Sequence, residues 1–352
     1  MGIGNMLMFM PLLRALRRRH PGARIVAVGM APNGSECVLR AEPGLVDEMV
    51  LLNPDKAPRW KLLWRAWRLG RQGWDTVILR YHGIFGEVVL ATAAARTRNR
   101  VGHVSSSGWR NRWDSIINVS VPMIPGSHEV ARYMELGGPF GIDTSKVEFS
   151  YPTTLEDNRL AEKILDDHGL SEKEFICLQP GSSQGQKWKR WPEERWQEFV
   201  QLATGRGLKV VCLGSDGEGA LCARICGANQ NAVSLAGKST LGATARILKR
   251  ALLLVGGDSN LVHFAAAVGT PVLGLWAAGD ECKGKPLVRH RLIRASICKG
   301  PCHTLERNYI FPANCDPARC MRSIAAPEVL AAVFEMVAEN EVAIAAVGAK
   351  HK

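Results

Sequence analysis

The feature that most constrains the fold of this 352-residue chain is a repeated alternation of short β-rich runs and segments with helical spacing of apolar residues. In the N-terminal half, β-rich runs occupy 24–29, 45–52 and 75–80, and a helical pattern lies between the second and the third. Parallel strands need long crossover connections, which are usually helices. The alternation therefore predicts an α/β protein with parallel sheets covered by helices.

The C-terminal half repeats this alternation after two stretches rich in Gly and Pro, 122–126 and 137–141. Strands are predicted at 175–178, 209–213, 232–235, 252–255 and 272–276. Helices are predicted at 155–168, 194–204, 219–226, 241–249, 261–268 and 327–340. We expect an N-terminal domain, a C-terminal domain and a final helix with a tail, at residues 1–150, 151–325 and 326–352. A nucleotide is expected at the carboxyl ends of the second domain's strands.

The chain opens on Gly2-Ile-Gly-Asn5, and a helical pattern over residues 6–18 follows directly. A doubly wound domain begins with a buried strand that leads into its first loop and helix. The sequence therefore predicts that the first strand of the N-terminal domain is missing. Either the start is placed too late, which is the preferred interpretation, or the strand has been lost.

Charge and composition limit the partners and the compartment. The net charge is +12, and residues 1–150 carry 20 Lys and Arg against 12 Asp and Glu. Such a field suits an anionic partner such as a phosphorylated glycolipid, a membrane surface or nucleic acid, although basic surface also aids solubility. No run approaches the roughly 18–20 apolar residues of a spanning helix, and Arg17–Arg19 follow the apolar opening, the reverse of a secretory signal. We expect a cytoplasmic protein that can touch the inner membrane face and keeps its ten cysteines reduced.

The most informative motif is a small, hydroxyl-rich loop after a predicted strand, Gln179-Pro-Gly-Ser-Ser183, followed by the cationic segment Lys187-Trp-Lys-Arg-Trp-Pro-Glu193. Pro192 suits the first turn of a helix. Backbone N–H groups, two hydroxyls and a lysine together can cradle a diphosphate. A plain strand–loop–helix connection with a basic surface explains the same residues, and both interpretations stay open.

A second motif, Gly256-Gly-Asp-Ser-Asn-Leu-Val-His263, joins a buried strand to a helix. Its glycines allow a ligand to come close to the backbone, and Asp258 stands where the helix begins. Asp258 can cap the helix while Ser259, Asn260 and the following N–H groups face a phosphate. His263, one turn into the helix, either donates to a phosphate or completes the loop.

A third motif, Gly214-Ser-Asp-Gly-Glu218, follows the predicted strand at 209–213. An acidic residue at the end of a second strand can bind ribose hydroxyls. The alternative is a polar turn, which is the preferred interpretation of Glu218.

The order of these motifs resembles that of glycosyltransferase family 9, the bacterial heptosyltransferases. The resemblance is carried by Pro-Gly-Ser-Ser, Lys-Arg-Trp-Pro-Glu, Leu-Gly-Ser-Asp, Leu-Ala-Gly-Lys-Ser-Thr-Leu (235–241) and Gly-Asp-Ser-x-x-x-His-x-Ala-Ala-Ala. The opening Gly-Ile-Gly-Asn, Met10-Pro-Leu-Leu-Arg-Ala-Leu16 and His20-Pro21 match the family's first loop and helix, so the similarity covers nearly the whole chain.

The resemblance implies a GT-B fold, in which two Rossmann-like domains face a cleft and the second holds the nucleotide sugar. It also implies inverting, metal-independent transfer without a cofactor, usually of heptose from ADP-heptose onto the lipopolysaccharide inner core. The implied partners are a nucleotide-sugar donor and an anionic glycolipid acceptor.

The resemblance implies eight donor-binding residues in this sequence. Ser182, Ser183 and Lys189 would hold the diphosphate, Asp216 would bind the ribose, and Ser239 would lie near the base. Asp258, Ser259 and His263 would close the donor site. Lys189 is also expected to stabilise the departing nucleotide diphosphate, because negative charge grows there during transfer.

Asn5 departs from the family pattern, in which the first loop commonly reads Gly-x-Gly-Asp and the Asp is the proposed base for the acceptor hydroxyl. An amide cannot usefully accept that proton. The first interpretation is another base, with His82 as the candidate, although an ordinary loop histidine is the preferred interpretation of His82 itself. The second is leaving-group-driven chemistry in which Asn5 orients the acceptor. The third is a catalytically degenerate sugar-nucleotide-binding protein.

Four cysteines, Cys298, Cys302, Cys315 and Cys320, lie in a loop-like stretch that contains Pro, with His303 beside them. Four thiolates can bind zinc tetrahedrally and fix a loop. Their spacing matches no common zinc pattern, so thiols without metal are preferred and no metal site is predicted.

Trp60, Trp64 and Trp67 form an aromatic stripe on a predicted helix that is rich in Lys and Arg. We expect the tryptophans to pack inward on the sheet while the cations face lipid phosphates; an aromatic face at a membrane interface is the alternative.

Two further function classes are weaker. A nicotinamide-dependent dehydrogenase needs Gly-x-Gly-x-x-Gly after a strand, whereas Gly2 and Gly4 follow no predicted strand and residue 7 is Leu. Nucleic-acid binding rests on charge alone and is not predicted.

Overall fold

A computed structural model of the chain describes residues 2–29, 34–53, 57–79, 94–105, 116–124, 126–277, 279–295 and 318–350, together with 297, 302, 315 and 316. The chain divides into two compact units, Met1–Phe149 (unit 1) and Ser150–Lys352 (unit 2). Both units are built from parallel strands and helices, as the alternation predicts.

The described residues of unit 1 form five strands and four helices. The strands are β1 (Val26–Gly29), β2 (Glu48–Leu51), β3 (Thr76–Leu79), β4 (Asn99–Ser105) and β5 (Val119–Met123). The helices are α1 (Ile3–Arg19), α2 (Ser35–Arg40), α3 (Arg59–Gly70) and α4 (Glu129–Glu135). The strands pair in parallel as two sheets, β1–β2 and β3–β4–β5.

The helix α1 is the centre of the unit 1 core. Leu7, Met10 and Leu12 are fully buried on it, and Leu12 packs in one cluster with Val101 of β4 and Val121 of β5. The cations Arg17–Arg19 in its last turn suit the negative end of the helix dipole. The helical pattern predicted at 6–18 is thereby confirmed, whereas the missing first strand stays a prediction.

Unit 2 contains, in its described part, six strands and eight helices. The strands are β6 (Phe175–Gln179), β7 (Lys209–Cys212), β8 (Ala232–Ser234), β9 (Leu254–Gly257), β10 (Val272–Trp276) and β11 (His290–Arg294). The helices are α5 (Leu155–Asp167), α6 (Glu193–Gly205), α7 (Gly219–Cys226), α8 (Leu241–Arg250), α9 (Asn260–Ala267), α10 (Glu281–Gly284), α11 (Arg319–Arg322) and α12 (Ala326–Lys350).

The six strands of unit 2 form one parallel sheet in the order β11–β10–β9–β6–β7–β8. Counted from β6, this is the 3-2-1-4-5-6 order of a Rossmann fold. Every residue of β6 and of β10 is buried, because helices cover both faces of the sheet, as their continuous apolar sequences predict.

The last helix belongs to the core of unit 2. Val329, Val333 and Met336 of α12 are buried and pack with the residues of α6. The helix runs to Lys350, ten residues beyond its predicted end at residue 340. The Ala-rich sequence there favours helix.

Three strands were not predicted from the sequence: β4, β5 and β11. The first Gly/Pro-rich stretch begins inside a strand, since Pro122 lies in β5 opposite Val104. Proline is tolerated there because β5 is the edge of its sheet.

Within the described residues, no helix is long and apolar enough to cross a membrane.

Candidate active site

The sheet of unit 2 reverses its strand order between β6 and β9. The chain builds outward from β6 to β8 and then returns to place β9 on the other side of β6. In open parallel sheets, ligands bind at such a switch point, outside the carboxyl ends of the strands. Gln179 and Gly256 are in register across it, so the loops 180–183 and 257–259 leave the sheet side by side.

An ion pair joins the connection that follows β6 to the connection that follows β9. The Lys189 Nζ donates to Asp258 Oδ2 at 2.6 Å, and only 10% and 24% of the two side chains are exposed. Burial alone raises the pKa of the Asp258 carboxyl, but the Lys189 ammonium outweighs it, with smaller contributions from His263 and Lys283, and the pKa is lowered. Asp258 is therefore held as a carboxylate, and Lys189 is held at the mouth of the switch point.

Asp258 does not cap the helix that follows it. The N-cap of α9 is Ser259, and its hydroxyl accepts a hydrogen bond from Gln179 Nε2 at 2.7 Å instead of capping the helix. The capping interpretation of Asp258 is therefore wrong: Ser259 occupies the N-cap position, and the Asp258 carboxylate pairs with Lys189. The first turn of α9 follows the loop 257–259 directly, and its backbone N–H groups form the positive end of the helix dipole.

The hydroxyl of Ser182 is used within its own loop. It donates to the Gln186 carbonyl at 3.0 Å and accepts from Arg190 Nε at 3.0 Å, while Arg190 Nη2 donates to the Ser182 carbonyl at 2.7 Å. Ser183 is exposed and stands at the start of the 3₁₀ turn Gln184–Lys189. Ser182 therefore shapes the loop, and Ser183 is the hydroxyl that faces solvent.

Glu218 lies against the loop 180–183, a contact that was not predicted from the sequence. Its Oε2 accepts from the Ser215 backbone N–H at 2.7 Å and from the Ser215 hydroxyl at 2.8 Å, which closes a capping box. A side chain on Gly181 would overlap the Glu218 carboxylate. The polar-turn interpretation of Glu218 describes its hydrogen bonds to Ser215 but not its close approach to Gly181. The signal that could have found it is the adjacency of β6 and β7, whose loops must emerge together.

Two other predicted residues are Asp216, in the Ser215–Glu218 turn, and Ser239, in the loop that follows β8. Asp216 is exposed, and its Oδ1 lies 3.0 Å from the position that a Cβ of Gly237 would take. Ser239 follows in the same loop, where its hydroxyl shares a hydrogen bond of 2.7 Å with the Thr244 hydroxyl. His263 is buried on α9 and contributes to the low pKa of Asp258.

Two residues predicted for the acceptor side, Asn5 and His82, belong to the N-terminal half of the chain. Asn5 is half-buried in the first turn of α1 and belongs to unit 1. His82 lies outside the described residues. The structure therefore leaves the roles of both as predictions.

The cysteine cluster is only partly described. Cys302 and Cys315 are half-buried, and Cys320 is buried on α11. Cys298 and His303 lie outside the described residues. In the part of the chain that the structure describes, no three His, Cys, Asp or Glu side chains are grouped as metal ligands.

The residues at the switch point form a set suited to a nucleotide. A lysine ammonium, an exposed hydroxyl and the N-terminus of α9 can receive a diphosphate. Carboxylates at the end of the neighbouring strand, on Glu218 and Asp216, can accept from ribose hydroxyls.

Comparison with known proteins agrees with this interpretation. The model of glycosyltransferase family 9 (heptosyltransferase) matches residues 63–309. Lipopolysaccharide heptosyltransferase 3 of Escherichia coli is 26% identical over 206 residues, covering 56% of this chain and 57% of that protein. The protein of the same name from strain K12 is 24% identical over 261 residues, covering 72% of each. The chain thus spans less than two thirds of the first relative and more than two thirds of the second.

A solved structure shows the same fold. The structure of E. coli ADP-heptose lps heptosyltransferase II matches with a TM-score of 0.68 at 21% identity, over 97% of each chain. The predicted fold class, α/β with two Rossmann-like domains of the GT-B type, is confirmed.

Proposed function

This chain belongs to glycosyltransferase family 9 (heptosyltransferase), and on that basis we propose that it transfers heptose from ADP-heptose onto a lipopolysaccharide core or a related anionic glycan. The names of relatives support the donor and the acceptor, since one is an ADP-heptose enzyme and two act on lipopolysaccharide. The net charge of +12 suits an anionic acceptor.

The single observation that carries the proposal is the Lys189–Asp258 ion pair at the switch point of unit 2. We assign the donor diphosphate to Lys189, Ser183 and the first N–H groups of α9. Ser182 and Ser259 hold the two loops in place through their own hydrogen bonds. Asp216 and Glu218 take the ribose, Ser239 lies toward the base, and His263 closes the site behind Asp258.

The proposed reaction inverts the anomeric carbon. An acceptor hydroxyl attacks that carbon as its bond to the donor phosphate oxygen breaks, and the electron pair of the broken bond leaves with ADP. Lys189 and the N-terminus of α9 stabilise the charge that grows on the diphosphate, a task for which some transferases use a divalent cation. Transfer without metal is therefore the expected mode.

The acceptor proton needs a destination, and Asn5 cannot supply one. We propose His82 as the base, with Asn5 orienting the acceptor. If the departure of ADP drives the reaction, the proton passes to solvent and Asn5 alone is needed. The amide at position 5 also motivates the second candidate function, a sugar-nucleotide-binding protein without transferase activity.

The test is acceptor-dependent release of ADP from ADP-heptose, with deep-core lipopolysaccharide as acceptor and a chelator present. We expect turnover that Lys189→Ala lowers by at least about 100-fold in kcat/KM. Lys187→Ala is the matched control, because Lys187 is an exposed cation of the same segment, and it should keep wild-type turnover.

Companion variants separate the two candidate functions. A loss in His82→Ala together with retained ADP binding assigns the base. ADP binding without any release in the wild-type protein, with a panel of sugar donors, would replace the transferase by the binding protein. Turnover unaffected by Lys189→Ala would contradict the assigned site.

A further inference from the structure

The helix α3 in unit 1 presents three tryptophans to solvent. Trp60, Trp64 and Trp67 are 71%, 48% and 41% exposed. Their spacing of four and three residues puts them on one face of the helix. The expectation that this stripe packs inward on the sheet is therefore wrong.

A different stripe of α3 makes the contact with the core. Leu62, Ala66 and Leu69 are buried, and they pack with Val28 of β1 and Val50 of β2. The helix is thus already anchored by aliphatic side chains of modest size. Its aromatic face is not needed to hold the helix on unit 1.

The charged residues of α3 all have the same sign. The segment 59–71 contains five cations and no acidic residue: Arg59, Lys61, Arg65, Arg68 and Arg71. The Arg68 guanidinium lies 4.9 Å from the centre of the Trp64 ring, and that of Arg71 lies 4.8 Å from the Trp67 ring. Each of these pairs places a positive charge directly beside an apolar ring.

We propose that the aromatic face of α3 docks unit 1 onto an anionic lipid bilayer, with the helix lying in the plane of the membrane surface. Indole rings settle at the boundary between headgroups and acyl chains, where one part of the ring is apolar and its N–H stays hydrated. Arginines at the same level meet lipid phosphates, and their attraction to an anionic surface adds to the tryptophan contribution.

The bilayer fits this surface better than other occupants. A protein partner would need cavities for three indoles and acidic groups for the cations, whereas a fluid headgroup layer adapts to both. Nucleic acid would use the cations but would bury indoles only by stacking on unpaired bases. The docking surface goes beyond the transfer reaction, because it needs neither the donor nor the switch-point residues.

Flotation of the full-length protein with vesicles tests the proposal. We expect the wild-type protein to float with vesicles that contain phosphatidylglycerol and to stay behind with pure phosphatidylcholine. The triple variant Trp60→Ser/Trp64→Ser/Trp67→Ser should lose at least about tenfold in partitioning. Arg68→Gln/Arg71→Gln, which keeps the indoles, should also weaken it, and about 0.5 M salt should weaken the wild type.

Leu155→Ser serves as the matched control, since Leu155 is a 77% exposed apolar residue of unit 2. It should float like the wild-type protein. If the triple variant loses its thermal unfolding transition, Trp60→Ser alone replaces it, because Trp60 is the most exposed of the three.

Three outcomes would overturn the proposal. They are equal flotation of wild type and the folded tryptophan variant, no flotation of the wild type with anionic vesicles, or tryptophan-dependent retardation of single-stranded DNA without any vesicle binding. No donor or acceptor is present in this experiment, so its failure would leave the transferase assignment standing.

Discussion

At the scale of single residues, Lys189 has the largest stabilising effect on the charge of Asp258. Its carboxylate is desolvated, and the nearby Lys189 ammonium compensates. A buried charge that loses its partner is expensive, so each of the two side chains keeps the other in place. Sequence could predict the presence of both residues in a donor site. It could not predict their pairing, because 69 positions separate them along the chain.

The lowered pKa of Asp258 gives a prediction for the pH dependence of stability. Because the folded-state pKa lies below the unfolded value of about 3.9, the pair stabilises unit 2 above that value and is lost as pH falls through the folded pKa. At about pH 6, Asp258→Asn should lower the free energy of unfolding by about 1–3 kcal/mol. As the pH falls through the folded-state pKa of Asp258, the variant and the wild type should converge, as measured by urea unfolding.

Asp166→Asn is the control for this experiment, since Asp166 is an exposed carboxylate on α5. It should leave the unfolding free energy unchanged at about pH 6. A constant gap between wild type and Asp258→Asn from neutral to acidic pH would show that Asp258 acts through packing and not through its charge.

At the scale of elements, continuous apolar runs were the reliable signal. The strand at 272–276 was predicted with its observed limits, and the strand at 175–178 with one residue too few. Strands with charged or polar residues were missed: β4 contains Arg100 and His103, and β11 begins and ends with charged or titratable side chains. Such strands are recognisable only when their neighbours in the sheet are known.

The helix α3 shows the same limit for a helix face. Two stripes of large residues run along it, and periodicity alone cannot say which one is buried. The structure assigns the interior to the smaller aliphatic stripe, which fits against the short sheet β1–β2. The bulky, cation-flanked indoles remain in solvent.

This assignment predicts unequal effects of two truncations on α3. Leu62→Ala removes a side chain that is 1% exposed and should lower the free energy of unfolding by about 2–5 kcal/mol. Trp64→Ala removes a larger side chain that is 48% exposed and should cost less than about 1 kcal/mol. Thermal or urea unfolding of the two variants measures the difference. A larger loss for Trp64→Ala would place the indoles inside.

At the scale of the whole molecule, the two units contain different predicted functional residues. Unit 2 has the full Rossmann strand order and a reversal of that order, with Lys189, Ser183 and Asp258 beside it. Unit 1 carries Asn5 and the exposed tryptophans of α3. The family resemblance could predict the two-domain fold from motif order, but the chemistry at position 5 has no counterpart in the family pattern and stays a hypothesis.

The proposed function requires that the switch point of unit 2 hold a nucleoside diphosphate. Calorimetric titration with ADP tests it most directly, because binding needs neither the acceptor nor a base. We predict saturable binding by the wild type and by Lys187→Ala, and at least about tenfold weaker binding by Lys189→Ala, since a charge-assisted contact to the diphosphate is lost. Equal ADP affinity in a folded Lys189→Ala variant would contradict the claim.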